Sequence, residues 1–235
     1  MDRILYCIAF QHDWRWVAAA AVVCLFGMGT ATHLISSSRT AQGEIRPLRA
    51  GIGAFVSGLA VFSTHFLAMQ GYEAVDARYD VALTLASFAT VFVSIAAATV
   101  VALTRAGPLF RGLSAALYLS GVAAMHFLGV AGLVVAGHIQ WDPALAALGV
   151  GGGVAIATAG AVLLPGRAPG GRLLAAATGC LGVIVLHFVS MSAMTITPAS
   201  TVDTGWIMSG DAMSLVLTAA ALTIAAVAGL AIWTG

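Results

Sequence analysis

The sequence contains no lysine, because all ten of its basic residues are arginine. The chain therefore has no lysine for a Schiff base with retinal or pyridoxal phosphate, and none for a phosphate-binding loop. Only 8% of the residues are charged, against roughly a quarter in ordinary soluble proteins. The net charge of +1 provides no basic surface for nucleic acid, and the 60% share of hydrophobic residues predicts a multi-pass membrane protein.

Cysteine is also scarce, and its spacing excludes a CxxC motif. The three cysteines are Cys7, Cys24 and Cys180, and we interpret Cys24 and Cys180 as small buried apolar residues. The N-terminus has no signal-peptide pattern, and no long polar segment separates the apolar runs. The sequence therefore predicts a single transmembrane domain over residues 1–235.

Seven apolar runs are each long enough to cross a bilayer as a helix. We predict an all-α membrane protein with seven transmembrane helices, built from three tandem helical hairpins and a seventh helix. An aspartate precedes each odd-numbered run and is a favourable N-cap. The predicted spans are approximately 14–35, 51–72, 81–103, 113–136, 143–164, 173–195 and 212–233. The repeats cover about 13–72, 80–136 and 142–195.

The distribution of arginine predicts the orientation of these spans. Seven arginines fall in the loops that follow odd-numbered spans, and three fall at the opposite end. Because short cytoplasmic loops are enriched in arginine, we predict an N-terminus outside and a C-terminus inside. The first group is Arg39, Arg46, Arg49, Arg105, Arg111, Arg167 and Arg172; the second is Arg3, Arg15 and Arg78.

The dipeptide His-Phe occurs three times, each time inside an even-numbered run. The histidines are His65, His126 and His187, which are separated by 126 − 65 = 61 and 187 − 126 = 61 residues. Each lies about 14 residues into its predicted helix, so at ~1.5 Å per residue all three lie roughly 20 Å from the inner face. Because lipid cannot satisfy an imidazole, we predict that they face the bundle interior in one layer of the outer half of the membrane.

Methionines accompany this histidine layer. Two of them follow their histidine by four residues, a spacing that places both side chains on one helix face, and a third precedes its histidine directly. Imidazole and thioether form a soft donor set that suits copper, above all Cu(I), and no carboxylate is predicted at this depth. Zinc held by the three histidines is the main chemical alternative. The predicted ligands are His65, Met69, Met125, His126, His187 and Met191.

A histidine in a membrane helix can also serve packing alone, through hydrogen bonds to neighbours such as Ser63 and Ser190. The constant 61-residue spacing favours a functional layer over that interpretation. We expect His12, His33 and His138 to be solvated or interfacial, although His12 or His138 could lie over the mouth of the bundle.

These residues resemble the MHYT family of bacterial integral-membrane sensor domains, named for a Met-His-Tyr-Thr motif near the outer ends of three transmembrane helices. The corresponding strings are Thr64–Leu67, Met125–Leu128 and Leu186–Val189. The histidines match the motif, whereas phenylalanine replaces tyrosine in every copy, and leucine or valine replaces threonine. The seven spans and the inside C-terminus fit the same family.

The resemblance implies a sensor of the bacterial inner membrane that holds copper and responds to oxygen, carbon monoxide or nitric oxide. It also implies a cytoplasmic output, such as cyclic-di-GMP turnover, and no catalysis within this chain. We expect the output unit to follow or bind near Gly235, in a dimer. Two other classes stay open: a haem- or copper-containing membrane redox protein, and a small transporter.

Overall fold

The computed structural model describes residues 2–72, 77–164, 169–198 and 205–233. Seven helices within these ranges are long and apolar enough to cross a membrane, which confirms the predicted seven-span all-α fold. The elements are α1 (Asp2–Phe10), α2 (Trp14–Ser38), α3 (Ile45–Gln70), β1 (Arg78–Asp80), α4 (Val81–Thr104), α5 (Pro108–Ala131), β2 (Gly137–Trp141), α6 (Pro143–Leu163), α7 (Pro169–Ala193), β3 (Met194–Pro198), β4 (Ile207–Ser209) and α8 (Gly210–Trp233).

Aspartate begins three of the spans, as predicted. Asp13, Asp80 and Asp142 each accept hydrogen bonds from backbone amides in the first turn of α2, α4 and α6. These bonds satisfy amides that a helix start leaves without partners. The prediction for the last span needs correction: Asp211 lies inside the first turn of α8, and the Ser209 hydroxyl accepts the first-turn amide instead.

The spans pair as antiparallel hairpins, α2 with α3, α4 with α5, and α6 with α7. The last span, α8, packs against α2 and α3, and α2 also contacts α7, so the first and third hairpins meet. Several predicted boundaries are wrong by four to six residues. Helix α3 begins at Ile45 rather than at 51, and α7 begins at Pro169 rather than at 173. Helix α5 begins at Pro108, which suits a first helical position, and it ends at Ala131 rather than at 136. Helix α7 ends at Ala193, where β3 begins.

Short strands cover the end of the bundle at which α3, α5 and α7 finish. Strand β2 pairs antiparallel with β3, with Ile139 opposite Ile196, and β1 pairs antiparallel with β4. The hydropathy pattern predicts only connections and helix ends in these segments. The β-branched residues Thr195–Thr197 could have indicated strand β3, because such residues favour strands.

Arginine side chains connect helix ends at the opposite end of the bundle. Arg39 donates to the Ala102 carbonyl at 2.8 Å, and Arg111 Nε donates to the Ala161 carbonyl at 3.0 Å. Each guanidinium satisfies a free carbonyl near a helix C-terminus and complements the helix dipole. Arg167 lies outside the described residues. The predicted inner loops thus share one end, whereas the direction of the bundle across the membrane stays a prediction.

Helix α1 is an element that the apolar-run pattern misses. It buries Cys7 and packs against α7, while Leu5, Tyr6 and Phe10 are exposed. A short amphipathic helix of this kind suits the interface between lipid and water.

Candidate metal centre

The three repeated histidines occupy equivalent places in the fold. His65, His126 and His187 lie near the C-terminal ends of α3, α5 and α7, five or six residues before each helix stops. These three helices run in the same direction, so their ends reach one layer. The side chains are 4%, 1% and 6% exposed. The predicted layer of buried histidines is therefore present.

The three imidazoles converge on a common point. Their ring centroids are 5.0 Å apart for His65 and His126, 5.2 Å for His126 and His187, and 5.5 Å for His65 and His187. One nitrogen of each ring lies within 4.8 Å of those of the other two. The closest pair is His65 Nδ1 and His126 Nδ1, at 3.3 Å. A single metal ion can bridge three nitrogens at such separations, because metal–imidazole bonds are roughly 2 Å long.

Hydrogen bonding leaves most of these nitrogens available. Among the described residues, neither nitrogen of His187 has a hydrogen-bond partner, and the same is true of His65 Nε2 and His126 Nε2. A buried polar atom without a partner is costly. The predicted alternative, in which Ser63 and Ser190 satisfy the histidines, is wrong here, because both hydroxyls also lack partners within the described part of the chain.

A small cavity of about 100 Å³ adjoins the three rings. Among the described residues, its remaining lining is mostly aliphatic, contains Thr64, Met125 and Cys24, and includes no carboxylate. On the side that faces away from the bundle axis, the cavity wall lies between α2 and α7. It includes Val17 and the partly exposed Ile184. The absence of carboxylate from this lining disfavours calcium and magnesium, which prefer oxygen ligands.

The three predicted methionine ligands occupy different positions relative to the cavity. All three, Met69, Met125 and Met191, are fully buried. Met125 lines the cavity beside the histidines, whereas Met69 and Met191 are absent from its lining. Met125 is therefore the best placed of the three for a bond to a metal at the triad, and the assignment of all three as ligands stays a prediction.

A fourth histidine covers the triad from the strand-bearing end. His12 is 5% exposed, and its ring centroid lies 6.0 Å from that of His187 and 5.1 Å from that of Phe188. Its Nδ1 donates to the Cys7 carbonyl at 3.0 Å. The expectation that His12 is solvated is wrong, because α1 folds back over the bundle, but its predicted place over the mouth is confirmed. His33 and His138 are exposed, as predicted.

Two titratable groups beside His12, the Cys7 thiol and the Tyr72 hydroxyl, are neutral. Burial raises the pKa of the Tyr72 hydroxyl to about 12 and that of the Cys7 thiol to about 11, so both stay protonated at neutral pH. Neither group therefore adds a charge next to His12.

The chain matches the family model described as "Bacterial signalling protein N terminal repeat", MHYT, over residues 58–115 and 120–177. His65 and His126 lie seven and six residues after the first residues of the two matches. The chain belongs to the MHYT family. This MHYT chain, with seven candidate spans, is a signalling domain of the bacterial inner membrane.

Relatives of this MHYT domain are signalling proteins. An uncharacterized signaling protein of Caulobacter vibrioides is 35% identical over 221 residues, which is 91% of this chain and 27% of that protein. The cyclic di-GMP phosphodiesterase NbdA of Pseudomonas aeruginosa is 31% identical over 78% of this chain and 24% of its own length. The bifunctional diguanylate cyclase/cyclic di-GMP phosphodiesterase MucR of the same species is 28% identical over 89% of this chain and 32% of its own.

The MHYT domain thus spans only about a quarter to a third of each of these relatives (27%, 24% and 32%). No solved structure matches the chain.

Proposed function

We propose that this MHYT domain is a sensory module that holds a copper ion at His65, His126 and His187 and reports on a diatomic gas or on redox state. The observation that carries the proposal is the convergence of three buried imidazoles whose nitrogens lie within 4.8 Å of one another. Copper bound there would supply a Lewis-acidic position for oxygen, carbon monoxide or nitric oxide.

The residues around the triad favour copper over zinc. Met125 adds a thioether to the cavity wall, and thioether sulfur is a soft donor that prefers Cu(I). Phe66, Phe127 and Phe188 stand where the family motif has tyrosine, and phenylalanine cannot donate a hydrogen bond to a neighbouring imidazole. Such outer partners usually raise affinity, so we expect weaker copper binding than in family members with tyrosine.

The cavity supports a small uncharged ligand. It has a volume of about 100 Å³ beside the three rings, and its wall between α2 and α7 reaches the lipid side through Ile184. A diatomic gas dissolves in lipid and fits this space. The residues of the chain would orient the metal, exclude water and leave one side of the triad open to the gas.

A haem between two of these histidines is less well supported. His65 Nδ1 and His126 Nδ1 are 3.3 Å apart, and the three rings meet edge to face. That arrangement leaves no slot for a macrocycle between the rings. We expect the absorbance spectrum of the purified protein to show no Soret band. A strong Soret band would support the alternative of a haem-containing redox protein.

The output of the module is proposed to be cytoplasmic cyclic-di-GMP turnover. Two relatives are named as enzymes of cyclic-di-GMP turnover, and each extends well beyond the matched region. The catalytic unit would lie outside this chain, after or beside the last span, in a dimer. Ligand can change its activity only by binding one arrangement of the helices more tightly than another.

The test is metal analysis of single variants of the purified, membrane-reconstituted protein. We expect His65→Ala, His126→Ala and His187→Ala each to lose bound copper, and His138→Ala, which removes an exposed histidine, to retain it. Full retention in one triad variant removes that histidine from the site, and retention in all three ends the proposal. Equal or tighter binding of zinc than of Cu(I) by the wild type would make zinc the metal.

The methionines need their own series. We expect Met125→Leu to lower Cu(I) affinity, while Met213→Leu, at a buried methionine of α8, leaves it unchanged. Met69→Leu and Met191→Leu decide whether those two sulfurs also bind, and unchanged affinity in either variant removes that residue from the ligand set.

A further inference from the structure

Two cysteines from different hairpins meet inward of the histidine layer. Cys24 of α2 and Cys180 of α7 have their sulfur atoms 3.2 Å apart, and both thiols are buried. Cys180 precedes His187 by seven residues on α7, which places it about 10 Å from that histidine along the helix axis. The sequence interpretation of these residues as apolar fillers is incomplete, because it could not show that they are neighbours.

The internal repeat does not account for this pair. The positions equivalent to Cys180 in the first two hairpins are 180 − 61 = 119 and 119 − 61 = 58, which are Leu119 and Gly58. The thiol pair is therefore an addition to the repeated scaffold, placed where α2 and α7 bring the first and third hairpins together.

We propose that Cys24 and Cys180 form a reversible disulfide, so that this pair is a redox-modification site of the domain. A disulfide has a sulfur–sulfur length of about 2.05 Å, so the atoms at 3.2 Å need to approach by about 1.1 Å. Small side-chain rotations and a slight shift of two helices provide that movement. Cys7, the third cysteine, lies in α1 beside His12.

The oxidant that fits the site is a peroxide as small as hydrogen peroxide. Cys24 lines the cavity of about 100 Å³, whereas Cys180 does not, so the peroxide reaches Cys24 first. The Cys24 sulfur forms a bond to one peroxide oxygen, the O–O bond breaks, and one water leaves, which gives a sulfenic acid. The Cys180 sulfur then attacks the Cys24 sulfur, the S–O bond breaks, and a second water leaves. Two thiols lose two electrons and two protons, and one peroxide becomes two waters.

The bond would connect α2 and α7 along the wall of the histidine cavity. Val17 on α2 and Ile184 on α7 belong to that wall, on the outward side of the two cysteines. Oxidation would therefore fix the two helices together where the cavity approaches lipid. Formation of the bond does not depend on a metal at the triad.

The test uses the full chain in lipid nanodiscs, stripped of metal with a chelator. After treatment with hydrogen peroxide the protein is denatured, its thiols are blocked with N-ethylmaleimide, and its intact mass is measured. Reduced protein should take three adducts, one for each of its cysteines. Oxidised protein should take one, with a mass lower by two hydrogen atoms, and dithiothreitol should restore all three. Peptide mapping should join residues 24 and 180.

Variants separate the two roles. In Cys180→Ala, Cys24 should accumulate as a sulfenic acid that dimedone traps, whereas in Cys24→Ala, Cys180 should stay reduced. Cys7→Ala is the matched control and should form the bond as the wild type does. The peroxide dose is one that labels Cys24 in Cys180→Ala. The proposal is overturned if the wild type keeps three reactive thiols at that dose. It is also overturned if the disulfide includes Cys7 or joins two chains. Because the assay contains no metal, its result is independent of copper binding.

Discussion

Gly129 determines how closely the His65 ring approaches α5. A Cβ atom at position 129 would lie 2.5 Å from His65 Nε2 and 3.2 Å from Phe66 Cζ. Those distances are too short for ordinary contact, so any side chain here displaces the imidazole. The triad therefore depends on a residue that offers no ligand, and the pattern of candidate ligands does not point to it.

We predict that Gly129→Ala lowers copper affinity roughly tenfold or more, the range seen when groups that orient metal ligands are changed. The added methyl group pushes His65 away from the other two histidines. The matched control is Gly51→Ala on α3, where a new Cβ meets no atom of the described residues within 4 Å. Competition with a chromogenic Cu(I) chelator measures both affinities. Equal affinity in the two variants would contradict this position of the His65 ring.

The Cys7 thiol provides a test of the cover over the triad. Burial raises its pKa from about 9 to about 11 in the folded protein. A raised pKa favours the protonated thiol, so its contribution to stability is complete below pH 9 and is lost as the pH rises through 11.

Alkylation should follow the same shift. In a Cys24→Ala/Cys180→Ala background, we predict that iodoacetamide modifies Cys7 with a pH midpoint near 11 in the folded protein and near 9 after denaturation. Mass spectrometry at a series of pH values gives both midpoints. A folded-state midpoint near 9 would show that α1 does not bury this thiol.

At the scale of elements, α8 is coupled to the site through α3. Gln70, at the end of α3 and five residues after His65, donates to the Gly210 carbonyl at 2.6 Å and to the Ser214 hydroxyl at 2.8 Å. Both acceptors belong to α8. A displacement of His65 along α3 can thus reach the last span through two short hydrogen bonds, and the output unit is expected to follow or bind near Gly235, after this helix.

We predict that Gln70→Leu lowers the free energy of unfolding by about 1 kcal/mol, a magnitude typical of interhelical hydrogen bonds in membranes. Loss of the amide leaves the Gly210 carbonyl without its donor from α3. The control is Gln140→Leu, an exposed position on β2. Thermal unfolding in one detergent compares the variants with the wild type. A Gln70→Leu midpoint equal to that of the control would mean that α8 docks without these bonds.

At the scale of the whole molecule, the two ends of the bundle differ in construction. One end carries α1, the paired strands and the histidine layer, and the other carries arginines that bond to helix C-termini. From the positive-inside rule we predict that the arginine end lies in the cytoplasm and the histidine end outside.

Cysteine labelling tests that orientation. In a background without the native cysteines, Gly205→Cys should react with a membrane-impermeant maleimide added to intact cells, and Ala106→Cys should react only after permeabilisation. Both positions are exposed, and they lie at opposite ends of the bundle. The reverse pattern would place the histidine layer near the cytoplasm and overturn the predicted topology.

The sequence by itself determined the spans and the histidine layer. The cost of burying polar backbone in lipid makes apolar length sufficient to identify membrane helices. The constant spacing of His65, His126 and His187 then fixed one depth for all three, because each hairpin repeats the same path through the membrane.

Only the tertiary structure decided which side chains meet. The pairing of Cys24 with Cys180 spans 156 residues, and the cover by His12 depends on α1 folding back over α7. Neither contact follows from helical periodicity, which places residues on a face of one helix but does not choose the partner of that face. The sequence did not predict the strands at the histidine end for the same reason. Two short segments become strands only when the helix ends bring them together.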